Sequence, residues 1–496
     1  MVDIVADVLQ FLAQNIFNEV AILIGLITLV GLLLQRAAIE DTVAGAIRAT
    51  IGVIILFVGV DVFVEGLLAF QTIVGSAVGL APPEAANTLG DFLGTHGGTI
   101  ALVIALGFLI HLVVVRILNT RYVYLTGHLL FWIAVITTAA LVEMFGDVDQ
   151  WTLVVAGAVV VALYWTIQPL ALAPLMRKVI DSDDWGYGHT SSLACWLAGR
   201  LGKPLGTREE HDTEKLNLPK RLSFFKDINV STGLVIIVIM VLAGAFADQA
   251  VLAEQAAGYD EAINPWVWTL IAGLRFAAGI AILLFGVRMF LAEIVPAFKG
   301  ISERLIPNSR PALDAPTIFP FAPTAVMIGF LSSTAIFLVF MGIFAAAGWF
   351  VLVPPMIMLF FPGGAAAVFG NAIAGWRGAV FGGLINGAFL AIGQALTWGM
   401  LSDTAPELAT LADPDWYVIA WLVLGIGALA SGMGDAGIWV IPVVVTAIFI
   451  VWYLLLRRRA EQVLPTGTPV GDSPFGRPDE AGPPQTDRSD HDRTES

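Results

Sequence analysis

Asp314 is a carboxylate in a strongly apolar chain, set between a Pro- and Ser-containing break (Pro307 to Pro311) and Ala315-Pro316. Where a helix is discontinuous at membrane depth, such a carboxylate can accept hydrogen bonds from substrate hydroxyls; capping of the following helix is the competing reading. Asp91, in Leu89-Gly90-Asp91-Phe92, lies 223 positions earlier and is the candidate pseudo-symmetric partner. Two histidines follow glycine, in Leu125-Thr-Gly-His128 and in Trp185-Gly-Tyr-Gly-His189. A neutral imidazole both donates and accepts, and glycine lets backbone approach closely, a combination suited to polyhydroxylated ligands. A hydrogen-bonded structural role stays equally open for each. His111, on the apolar face from Phe108 to Val115, reads as structural.

Other chemistries are excluded or unsupported. The histidine spacing fits no zinc motif, so no metal site is expected. There is neither a P-loop nor a dinucleotide-binding glycine motif before a helix, so no nucleotide cofactor is expected. The single cysteine, Cys195, precludes a disulfide framework and reads as packing.

The elements that position these groups are membrane spans. Hydrophobic residues make up 57% of the 496 positions and charged ones 13%, with many apolar stretches near the ~20 residues that cross a bilayer. Asp3 and Asp7 stand where a cleavable signal peptide would be basic, so none is expected. A net charge of −15 argues against a nucleic-acid partner.

A weak internal repeat organises the chain. Shifted by 227 positions, Arg48, Gly52, Ile55, Leu56, Gly59, Val60 and Phe63 match Arg275, Gly279, Ile282, Leu283, Gly286, Val287 and Phe290. The second copy begins at Arg275 and runs into the stretch from Gly286 to Pro307, an apolar segment carrying Arg288 and Glu293. Loops 71–97, 146–150 and 249–265 contain no Lys or Arg, whereas Arg36, Arg48, Arg116, Arg121, Arg177 and Lys178 fall on the alternate side. The positive-inside rule then places the N-terminus outside and the loop after Arg177 in the cytoplasm. The two copies consequently point in opposite directions, as an inverted-topology repeat requires.

The expected organisation is a first transmembrane repeat over 1–176, a basic cytoplasmic loop over 177–228, a second repeat over 229–400, C-terminal membrane segments over 401–459 and an acidic disordered tail over 460–496. Arg457-Arg458-Arg459 anchor the C-terminus inside, and the tail holds eight acids against three arginines, too polar to fold alone. Segments 350–376 and 415–434 contain Pro354-Pro355, Pro362-Gly363-Gly364 and Gly432-Met433-Gly434, so broken or re-entrant helices are expected there.

With these residues in place, the chain resembles the ascorbate-type permease subunit (EIIC) of the phosphoenolpyruvate-dependent sugar phosphotransferase system, in the ascorbate–galactitol superfamily. The likeness runs from Gly25-Leu-Ile-Thr-Leu-Val-Gly-Leu-Leu-Leu-Gln35 to Arg457. It includes Tyr124-Leu-Thr-Gly-His128, Gly188-His189, Leu216-Asn-Leu-Pro219, the Gly286 to Pro307 run, Asp314, Phe321-Ala-Pro323, Gly329-Phe330, Asn371 and Gly375-Trp-Arg377. The resemblance implies an all-α polytopic fold of about eleven transmembrane helices, two inverted repeats plus a C-terminal helix. It further implies a homodimer in the cell membrane and elevator-type alternating access. The substrate-binding positions it implies are His128, His189 and Asp314, with Thr190 and Asp91 added. Glutamines expected just after each histidine motif are Trp132 and Thr190 here, which changes the hydrogen-bond pattern offered to a ligand.

The function implied is uptake of ascorbate or a related sugar acid or sugar, coupled to phosphorylation by separate EIIA and EIIB proteins. The chain itself is then no enzyme, because the phosphocysteine belongs to EIIB and Cys195 is not its equivalent. The alternative is ion-coupled or facilitated transport of a small organic anion or sugar without phosphotransfer, Asp314 or Asp91 carrying the ion. A non-transporting membrane scaffold is a third class, against which the intramembrane carboxylate and histidines argue.

Overall fold

In a computed structural model the protein is described over residues 20–81, 85–146, 148–182, 185–216, 228–306 and 309–460. Lys220, Arg221 and Lys226 of the basic loop, most of the Leu216 to Pro219 motif and the tail from 461 lie outside the described residues. Among the described residues, eight helices are long and apolar enough to cross a membrane. The chain is a helical membrane protein.

In chain order the helices are α1 (Val20–Gln35), α2 (Ile39–Val78), α3 (Leu89–Leu118), α4 (Gly127–Phe145), α5 (Gln150–Ile180), α6 (Ser192–Leu201) and α7 (Arg208–His211). They continue with α8 (Ile228–Phe246), α9 (Gln249–Tyr259), α10 (Pro265–Leu305), α11 (Pro323–Ala346) and α12 (Met356–Met400). Last come α13 (Leu408–Leu411), α14 (Pro414–Ala430) and α15 (Val440–Ala460).

The longest pairing is between α2 and α10. They run antiparallel, since Gly52, Gly59 and Gly66 of α2 meet Phe290, Leu283 and Phe276 of α10 in turn. Such close crossing needs glycine: a methyl on Gly52 would lie 2.5 Å from the Phe290 amide, and one on Gly279 would lie 2.5 Å from the Phe63 amide. In lipid, where apolar side chains gain little by leaving the solvent, this close backbone packing holds helices together. Two ion pairs clamp the ends, Arg48 to Glu293 at 2.6 Å and Arg275 to Glu65 at 2.5 Å. The contact of Gly52 with Phe290 and that of Gly279 with Phe63 are separated by the same 227 positions as Arg48 and Arg275.

The interrupted segments break where glycine permits it. In α12 the helix is lost at Ala374 and Gly375, the latter at φ 64°, and the two arms fold back so that Gly370 meets Gly378. His211 packs against Gly375, which leaves no space for a side chain there. A second break, a 3₁₀ stretch Ser431–Trp439 with Gly434 at φ 58°, separates α14 from α15.

Between the helices lies an element the apolar pattern did not announce, a small parallel sheet of β1 (Tyr122–Tyr124), β2 (Gly186–Tyr187) and β3 (Arg310–Leu313) in the order β1-β3-β2. Tyr124 and Gly186 both align with Ala312, and Tyr187 aligns with Leu313. β1 and β2 follow α3 and α5, which terminate in left-handed residues, Asn119 at φ 53° and Asp181 at φ 52°. Polar backbone at this depth is tolerated because the strands pair with one another and are enclosed by helices. His111 secures the edge: its Nε2 accepts the Tyr124 amide at 3.1 Å and its Nδ1 lies 2.8 Å from the Thr166 hydroxyl.

Candidate functional site

The carboxyl ends of the three strands converge. His128 follows β1 across the first turn of α4, His189 follows β2 by two residues, and Asp314 directly follows β3. Three segments remote in sequence thus deliver their polar side chains to one point. His128 Nε2 lies 3.6 Å from Asp314 Oδ2, and His189 Nε2 lies 3.7 Å from Asp314 Oδ1. Both separations exceed a hydrogen bond, so these groups do not satisfy one another.

Local bonding fixes each residue. Asp314 Oδ1 accepts the Ala315 amide at 2.7 Å at the start of a 3₁₀ turn, Ala315–Phe321, so the capping role and the cavity position coexist in one side chain. The Thr126 hydroxyl donates to the Gly188 carbonyl at 2.5 Å, tying the start of α4 to the residue before His189. Gly188 itself lies so close to β3 that a methyl there would sit 2.7 Å from the Ala312 carbonyl oxygen. Gln168 of α5 donates to the His189 carbonyl at 3.1 Å.

His189 Nδ1 accepts the Ser191 backbone amide at 3.1 Å. A backbone N–H can only donate, so the imidazole proton sits on Nε2 and points toward Asp314. His128, His189 and Asp314 offer ligand atoms within 4.8 Å of one another, the only such trio among the described residues. A metal-binding Nε2 would need the proton on Nδ1, donated to a carbonyl or carboxylate, and here that nitrogen is an acceptor. The arrangement therefore suits a hydrogen-bonded ligand better than a metal ion.

A second carboxylate, Asp413, stands behind His189, with Oδ2 3.6 Å from Nδ1. The Thr190 hydroxyl donates to it. Burial pushes the Asp413 carboxyl up to about 8, the Thr190 hydrogen bond opposing, while burial lowers His189 to about 4 against the pull of Asp314. Burial thus favours the neutral form of both groups. Asp415 completes the backing: it accepts the Leu193 amide at 2.8 Å and the Tyr164 hydroxyl at 2.7 Å, locking α14 to the start of α6.

These groups face a cavity of about 570 Å³, a size suited to a small organic ligand. His128, His189, Asp314 and Asp413 line it, together with Arg288 of α10. Trp132 and Trp416 supply a flat wall, stacked with ring centres 5.5 Å apart and planes at 27°. A larger hollow of about 710 Å³ near Trp398 and Ser402 has one ionisable lining residue, Asp403, and neither imidazole.

Of the five residues expected from the sequence, the structure brings together His128, His189 and Asp314. Thr190 is adjacent but acts on Asp413 and does not line the cavity. Asp91 is elsewhere: it accepts the Thr88 hydroxyl at 2.7 Å in the first turn of α3 and is not among the cavity-lining residues. Cys195 is buried against Ser191 and Tyr187, and burial pushes its thiol up, so it is inert packing. Asp413 and Trp416 were not singled out, although the Asp413-Pro-Asp415 triplet in an apolar segment is the kind of signal that marks intramembrane function.

A family model described as "PTS system sugar-specific permease component" matches residues 15–415. A curated protein, the "Ascorbate-specific PTS system EIIC component" of Mycoplasma pneumoniae, is 29% identical over 417 residues. The matched region covers 74% of this chain and 63% of that protein, so the chain spans somewhat less than two thirds of its relative's length.

Proposed function

The chain belongs to the sugar-specific permease components of the phosphotransferase system, and from that premise we propose that it takes up ascorbate or a related small sugar acid through the cavity bearing His128, His189 and Asp314. The family is one of transporter components, in keeping with a cavity lined by hydrogen-bonding groups. The observation that carries the reading is the convergence of two imidazoles and a carboxylate at the ends of three strands, inside a helical membrane protein. His189 donates from Nε2, Asp314 accepts from hydroxyls, and His128 does either according to its tautomer.

Phosphorylation of the arriving substrate falls to separate EIIA and EIIB proteins docking at the cytoplasmic side. The chain works as a homodimer with its N-terminus outside and C-terminus inside, built from two inverted repeats. The like-for-like contacts of Gly52 with Phe290 and Gly279 with Phe63 support the repeat. The sheet, α4, α5 and the two arms of α12 move past the α2 and α10 pair in an elevator-type cycle.

Uptake of labelled ascorbate and other sugar acids, measured in cells expressing the chain with and without EIIA and EIIB, tests this. Accumulation of phosphorylated product only when both partners are present is the expected result. Uptake that needs neither partner and follows the proton gradient would replace it with ion-coupled transport.

A further inference from the structure

We propose that Arg288 selects an anionic ligand, receiving the acidic group of the substrate from the α10 wall while the sheet wall holds its hydroxyls. This rests on the reading of the cavity as the sugar-acid site and assigns a residue outside the imidazole and carboxylate cluster.

The wall contributed by α10 is a stripe. Ile280, Leu284, Arg288, Ala292 and Pro296 all line the cavity, and steps of four make each a neighbour of the next along a ridge of the helix. Arg288 lies at the middle of that stripe and is its only ionisable member. Glu293, five residues on, is engaged with Arg48 of α2, and Arg275, earlier on the same helix, is engaged with Glu65. Arg288 makes no ion pair among the described residues. Its neighbours are neutralised and it is not.

A guanidinium cannot shed its proton, so Arg288 keeps its charge whatever surrounds it. A cation at membrane depth is costly unless it faces a polar cavity or an anion, and this one is exposed toward the cavity. Its planar fork fits a carboxylate or enolate through two parallel hydrogen bonds. The opposite polarity lies across the cavity: Asp314 repels an acidic group and accepts hydroxyls. A ligand carrying both is oriented by the two walls, with the stacked Trp132 and Trp416 against a flat ring face. The chemical class is a small monoanion with hydroxyls at the far end from its acid.

The test is equilibrium binding to the purified full-length protein, with ascorbate and gluconate as anionic probes and xylitol as the uncharged one. Arg288→Gln is expected to weaken both anions by about tenfold or more, with no loss for xylitol. Arg288→Lys restores part of the anion affinity, and added salt weakens anion binding less in Arg288→Gln than in the unaltered chain. Anion affinity unchanged in Arg288→Gln, or xylitol weakened equally, overturns the assignment. If Asp314→Asn abolishes anion binding while Arg288→Gln leaves it intact, the sugar-acid reading stands and Arg288 is excluded. Failure of the unaltered protein to bind any of the three overturns both.

Discussion

Nε2 of His189 stands 3.7 Å from Oδ1 of Asp314, a gap too wide for a hydrogen bond and narrow enough for one ligand oxygen to reach both. Because Ser191 holds the proton on Nε2, the pair presents one donor and one acceptor to the same point. A hydroxyl, which both donates and accepts, is the group that satisfies them together.

Asp314→Asn is expected to separate binding from folding. Asparagine caps a helix start as well as aspartate does, so stability should change by less than about 0.5 kcal/mol. Binding should weaken by about tenfold or more, because hydrogen bonds to a charged acceptor are the stronger kind. Ligand titration beside a thermal melt decides: a variant that binds normally would show that the carboxylate serves only as a cap.

Asp413 makes binding sensitive to alkaline pH. Its carboxyl rises from 3.8 to about 8 in the folded chain, so between these values the folded state holds a proton the unfolded state has lost. Its contribution to stability is full below pH 3.8 and is lost as pH rises through about 8. His189 has the opposite sign: lowered from 6.5 to about 4, it contributes stability above pH 6.5 that is lost as pH falls through about 4. When Asp413 ionises, a buried negative charge appears behind His189, so anion affinity should fall as pH passes about 8. Asp413→Asn should flatten that fall, read as Kd against pH; an unchanged profile would assign it to another group.

Gly188→Ala is expected to disable the site through the backbone. The added methyl would sit 2.7 Å from the Ala312 oxygen, forcing β2 away from β3 and His189 away from Asp314. Overpacking of this kind costs about 1–3 kcal/mol. Affinity should drop although no side chain of the cluster has changed. Binding equal to that of the unaltered chain would mean the sheet does not position His189.

Gly52→Ala and Gly279→Ala should destabilise the protein alike, since each methyl would meet the amide of a phenylalanine on the partner helix at 2.5 Å. The expected cost is about 1–3 kcal/mol for either. Comparison of the two thermal melts tests the inverted repeat: a large shift from one substitution and none from the other would show that the two environments are not equivalent.

The helical membrane class was legible in the composition, and His128, His189 and Asp314 stood out as candidates because polar groups beside glycine or proline are conspicuous in so apolar a chain; the structure brings the three together. The break at Gly434 falls in the expected Gly432-Met433-Gly434 cluster, whereas α12 runs unbroken through Pro362-Gly363-Gly364 and is interrupted instead at Ala374 and Gly375, where the backbone takes a positive φ that glycine permits. The sheet was not legible. Strands of two to four residues carry no periodicity, and each pairs with a segment more than a hundred positions away, as Tyr122 does with Arg310. Asp91 was matched to Asp314 at an offset of 223 rather than the 227 that relates α2 to α10, and the mismatch of about one helical turn removes any reason for the two to occupy equivalent places. Asp413 was hidden because its role depends on Thr190 and His189, which only folding brings beside it.

The parallel strands have one more consequence. His128, His189 and Asp314 hang from backbones stitched to one another, whereas Arg288 hangs from a helix outside that stitching. Under the proposed sugar-acid reading, a displacement that preserved the strand hydrogen bonds would leave the groups proposed to hold the hydroxyls unaltered and slide them along a wall whose charge comes from elsewhere. The ligand's surroundings then divide into a part that travels with it and a part it leaves behind, and a change of affinity during transport can arise entirely from the second.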